Sequence, residues 1–180
     1  SNYNELFFSN INSNNEIKDL YRNIFTLYRK YKDNNDKEQF EKNIFLEINS
    51  FIDKIIFDKS KINENIMLQF IISSLQDVFK YIENNYNIRL NANCVYTMAY
   101  FIYSKGYENI KFNKDEEKLI DKIYKYALDN NKEEFKLVSK LSSLMDSKMD
   151  VNLQKEDEIF ISFYFKSLKV FQDKDRKSVV

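Results

Sequence analysis

The sequence has no proline, no histidine and no tryptophan, and only one glycine (Gly106) and one cysteine (Cys94) in 180 residues. Each absence excludes something. All-β folds lean on Gly and Pro for their turns, so this poverty argues against a sandwich or a barrel. Without His, the commonest general base and the commonest transition-metal ligand are missing. One glycine cannot supply a phosphate-cradling loop. One cysteine excludes an internal disulfide and suits a reducing intracellular compartment. With Val95 and Met98 beside it and no His to activate it, Cys94 reads as an inert buried thiol. Tetrahedral zinc held by Cys and His cannot be assembled within one chain. No apolar run reaches the length of a membrane span. The chain opens at Ser1 rather than Met, so the lack of a recognisable targeting segment carries no weight.

What is present is apolar and aromatic. Apolar residues make up 43% and aromatics 16%, from 16 Phe and 13 Tyr. A chain of this length buries roughly 70% of its unfolded surface and needs no staple. Charged residues make up 31%, with 28 cations against 28 anions, interleaved along the chain. A dedicated nucleic-acid binder usually shows a basic stripe, and none is visible overall. Asn is abundant and Lys far outnumbers Arg, the codon bias of an AT-rich genome.

Helical spacing runs almost throughout. Ile17, Leu20, Tyr21, Ile24, Leu27, Tyr28 and Tyr31 recur at three- and four-residue steps and line one helix face. Asp36 with Gln39 has the form of a capping box and opens a second helix over Phe40, Ile44, Ile48, Phe51, Ile52 and Ile55. A third carries Phe70, Ile71, Leu75, Val78, Phe79 and Ile82, followed by a connector over 86–93. Residues 94–103 are apolar nearly all round, the mark of an enclosed helix, and Gly106 at its end reads as a left-handed C-cap. Asn113 with Glu116, and Asn131 with Glu134, form two further capping boxes. A last helix is expected over about 154–171. Its core, residues 159–165, has strand-like composition but no partner strand, so a buried helix is expected.

The fold expected is therefore all-α, with about seven helices in antiparallel hairpins. They form either a short α-solenoid-like array or an irregular helical bundle. The array reading rests on three echoes: Asp33-Asn34-Asn35, Glu83-Asn84-Asn85 and Asp129-Asn130-Asn131, spaced roughly 45–50 residues apart, the length of a helical hairpin. The organisation expected is an N-terminal segment 1–13, partly ordered, one helical domain over 14–173, and a flexible tail 174–180.

The carboxylate runs Asp115-Glu116-Glu117 and Glu156-Asp157-Glu158 fall at expected helix N-termini, where the dipole favours them. Neither has the interleaving of a calcium loop. No catalytic residue, metal ligand or cofactor is expected. One arrangement points to a partner. Tyr96, Tyr100, Tyr103 and Tyr107 fall on one stripe of a helix, with Arg89, Lys105 and Lys111 nearby in sequence. Such a stripe packs against a neighbouring helix, or presents a platform to a protein or to unpaired bases. The function expected is a non-enzymatic module that binds another protein, or a subunit of a larger assembly. The alternatives are RNA binding by a helical-repeat surface, with a one-sided basic patch, and an enzyme restricted to Asp, Glu, Tyr or Lys.

Overall fold

The computed structural model describes residues 15–57 and 65–170, and among them it has seven helices and no strand. They are α1 (Glu16–Asn34), α2 (Lys37–Phe57), α3 (Ile66–Tyr86), α4 (Ala92–Tyr107), α5 (Lys114–Asn130), α6 (Lys132–Met149) and α7 (Lys155–Leu168). The expected segments 1–13 and 174–180 lie outside the described residues.

Local chemistry sets most of the ends. Asn65, Asn91 and Asn113 accept from the backbone N–H three residues on, and so cap α3, α4 and α5. The Asn113–Glu116 capping box is complete, with N–H···O distances of 2.8 and 3.1 Å. At Asp36 only half the box forms: its carboxylate accepts from the Gln39 N–H at 3.1 Å, while the Gln39 amide donates to Asn43. Asn131 makes no cap at all, because its side chain is fully buried and committed to α7.

The left-handed turns correct the sequence reading. Gly106 has no positive φ; α4 runs through it to Tyr107, and Glu108 takes the turn at φ −83°. Among the described residues the left-handed positions are Asn15, Asn35, Asn87, Asp150 and Lys169. Short side chains that bond locally tolerate this region, so Asn and Asp do the work Gly does elsewhere. The three echoes also part company. Asn35 is left-handed, Glu83-Asn84-Asn85 lies inside α3, and Asn131 sits at φ −122°. One sequence motif thus takes three backbone forms.

Core packing centres on α7. Residues 159–165 are all buried, so the strand-like run is a helix enclosed on every side. Helices α2, α5 and α6 pack against α7; α3 packs on α4 and α6; α1 packs on α2, α4 and α5. In a stack of repeats each hairpin touches only its neighbours. Here the first hairpin reaches α4, α5 and α7, which is the packing of an irregular bundle.

Rings fill the interior. Phe160 of α7 stacks on Phe101 of α4 at 4.8 Å and meets Phe51 of α2 edge-on at 5.7 Å. A second group joins Tyr31 and Phe40, stacked at 4.9 Å, to Tyr126 of α5. Offset and edge-to-face pairs of this kind add to plain area burial. One face of α3 differs from the spacing expected for it. Phe70 is 69% exposed, and the core stripe of α3 is Leu68, Ile72, Leu75, Val78, Phe79 and Ile82. At 100° per residue Phe70 stands about 200° round the helix from Leu68 and Ile72.

Candidate functional site

The tyrosine stripe of α4 is mostly interior. Tyr100 is 4% and Tyr103 2% exposed, and Tyr96 is half-buried. The Tyr107 side chain lies outside the described residues. Their hydroxyls tie elements together. Tyr100 donates to the Glu16 carboxylate at 3.1 Å. Tyr103 accepts from the Asn65 amide at 2.7 Å, and Asn65 in turn accepts from the Leu68 N–H to cap α3. Two of the four rings are thus enclosed within the fold.

The three cations expected beside the stripe do not meet. Arg89 and Lys111 are exposed and flank opposite ends of α4, a helix about 24 Å long at 1.5 Å per residue. Lys105 turns inward and pairs with Asp157.

Asp157 is the first of two polar junctions that clamp α7. It is fully buried in the first turn of that helix. Its carboxylate accepts from the Lys105 ammonium of α4, from the Tyr21 hydroxyl of α1 and from the Gln154 N–H, the last at 2.8 Å. Burial pushes the Tyr21 phenol well above its ordinary range, with Glu156 and Glu108 adding to the shift, so the phenol stays protonated and donates. Burial also lowers the Lys105 ammonium, against the pull of Glu156. Asp157 sits in phase with Phe160, Ile161 and Tyr164, at i+3, i+4 and i+7. An acid in register with an apolar stripe was the signal for an inward role.

Beside it lies Glu108, buried just beyond α4. Its two carboxylate oxygens accept from the Ile17 and Lys18 N–H groups at 3.2 and 3.3 Å. Asn15, left-handed, makes no side-chain cap, so a residue 91 positions away caps α1 instead. No sequence pattern reports a cap at that distance.

The second junction holds the other end of α7. The Lys166 ammonium donates to Glu41 at 2.7 Å, to the Asn131 side chain at 2.9 Å and to the Asn130 carbonyl at 3.1 Å. Glu41 also accepts from the Tyr126 hydroxyl at 2.6 Å, and Asn131 donates to Ser162. Burial, then the Glu41 bond, drives the Tyr126 phenol upward.

Glu108 carries a pH prediction. Burial raises its pKa, and the two backbone donors offset this only in part, with Glu16 and Asp19 adding repulsion. A carboxyl raised on folding contributes stability that is full below the ordinary carboxylate range. That contribution is lost as pH rises through the raised value. The stability of the wild type relative to Glu108→Gln is therefore expected to fall as pH rises through that window. Urea titrations at several pH values measure it, and a pH-independent difference would overturn it.

The two acidic runs diverge. Glu116 bonds the Asn113 N–H and pairs with Arg22, with its carboxyl held low chiefly by that N–H bond, while Asp115 and Glu117 are exposed. Glu158 bonds Tyr124 and Ser142, away from Asp157. No group of three potential metal ligands occurs among the described residues. Cys94 is buried, and burial pushes its thiol up to about 12. Among the described residues no helix is long and apolar enough to cross a membrane.

Two surface features stand out from this interior. At the start of α3, Ile66 is 88%, Met67 52% and Phe70 69% exposed. Between α1 and α5 an open groove of about 650 Å³ carries Arg29, Lys32, Lys122 and Lys125. No protein-family model, curated protein or solved structure matches the chain.

Proposed function

We propose that this chain is a non-enzymatic protein-interaction module, or a subunit of a larger assembly, and that it docks its partner through the N-terminal end of α3. The observation that supports this is the exposed cluster of Ile66, Met67 and Phe70. Isolated exposed apolar residues are ordinary; three large ones within the first two turns of one helix form a patch that water disfavours. The opposite face of α3 is anchored by Leu68, Ile72 and Leu75, and its N-terminus by Asn65 and Tyr103. The patch therefore rides on a fixed helix end, and docking on it orders little more chain. Tyr103 of the α4 stripe supports the patch from beneath, through its hydrogen bond with Asn65.

Affinity capture of the native chain beside Phe70→Asp, with and without nuclease, tests the proposal. Phe70 is exposed, so the variant is expected to keep its stability within about 0.5 kcal/mol. A protein partner that survives nuclease and is lost from Phe70→Asp is the expected result. Equal capture by the variant would remove α3 from the interface. A partner lost to nuclease would favour the alternative, RNA binding.

A further inference from the structure

The groove between α1 and α5 brings four cations together from two helices, with Asp33 the single acid among its lining residues. Arg29 and Lys32 lie one turn apart on α1, and Lys122 and Lys125 one turn apart on α5. The helices run parallel, since Arg22 meets Glu116 near their starts and Tyr28 meets Tyr126 further on. The two pairs of cations thus face each other across one cleft. All four residues are exposed, and none forms an ion pair with a carboxylate among the described residues, whereas Arg22, Lys105, Lys155 and Lys166 all do.

Four like charges with a single acid, Asp33, among them repel one another, and an anion placed there relieves that repulsion. Lys32 is already positioned: its ammonium lies over the Tyr28 and Tyr31 rings at 5.5 and 5.7 Å. Tyr28 and Leu119 contribute the apolar part of the lining. We infer that this groove binds a compact polyphosphate, a ligand carrying two or three linked phosphates.

Size and surroundings favour a compact ligand over a nucleic-acid strand. The volume falls within the few-hundred-Å³ range of small-ligand sites. The basic stretch is also bounded. The Arg22–Glu116 pair closes it toward the helix starts, Asp33 lines its other end, and Asp129 follows Lys125 one turn on. A strand that tracked the surface would run into these carboxylates.

Isothermal titration of the full chain with ATP, with tripolyphosphate and with a twelve-residue oligouridylate, all without metal, tests this. ATP or tripolyphosphate is expected to bind at low salt. Affinity should fall at least tenfold in Lys122→Glu plus Lys125→Glu, whose side chains are exposed and whose circular dichroism should match the wild type. Tighter binding of ATP identifies a nucleotide as the source of the phosphates, and tighter binding of tripolyphosphate an inorganic one. Three results would overturn the inference: no binding of either, binding that the charge reversals leave unchanged, or oligouridylate binding tighter than both.

Discussion

Replacing Asp157 by Ala is expected to cost about 3–5 kcal/mol, because it strips one partner from a buried ion pair and leaves the other charge uncompensated. Asp157 is fully buried, and three donors converge on it: the Lys105 ammonium, the Tyr21 hydroxyl and the Gln154 N–H. Removing it orphans all three and uncaps α7, the helix at the centre of the core. Against a total of about 5–15 kcal/mol for a domain, that is a large share. Urea unfolding followed by circular dichroism measures it. Two controls separate the parts. Asp157→Asn keeps the shape and an acceptor but not the charge, and should cost less than Asp157→Ala. Lys105→Met combined with Asp157→Leu removes both charges, and should recover much of the loss, since a buried pair contributes little beyond its apolar replacement. A double variant as unstable as Asp157→Ala would show that the Tyr21 and Gln154 bonds dominate the junction.

The second large effect is expected from Tyr100→Ala plus Tyr103→Ala. Each truncation of a buried aromatic costs about 3–5 kcal/mol through lost transfer energy and the cavity left behind. Both rings are all but inaccessible, and the second also frees Asn65, which caps α3. The pair is expected to abolish cooperative unfolding, or to lower Tm by more than about 10 °C, given that 1 kcal/mol shifts Tm by about 2–4 °C at this size. Thermal melts are the measurement, with half-buried Tyr96→Ala as the comparator that changes less. A double variant that melts with the wild type would return the stripe to the surface. Tyr103→Phe, which deletes only the hydroxyl, is expected to cost about 1 kcal/mol.

Much of the secondary structure was legible in the chain. Seven helices follow from three- and four-residue apolar spacing, from Asn caps and from the near absence of Gly and Pro, because all of these act over a few residues. The cap at Asn113 forms as read; the one at Asn131 does not, because burial against Ser162 and Lys166 takes its side chain. Gly106 shows the same limit: its freedom at positive φ goes unused, since α4 continues through it. Phe70 shows how small the margin is, two residues out of phase and therefore outside the core.

What the sequence determined by itself is an all-helical protein with rings to bury and no His, disulfide or Gly-rich loop for the chemistries that need them. Only the tertiary structure decided that the hairpins close around α7 instead of stacking in series. It alone placed Asp157, Glu108 and Lys166 against partners up to 136 residues away. It also set four cations from two separate helices round one groove. The reason is physical. Propensity and capping are local terms, written in neighbouring residues. Which charge turns inward, and which charges share a cleft, depends on contacts between helices distant in the chain, and those exist only once the bundle has closed.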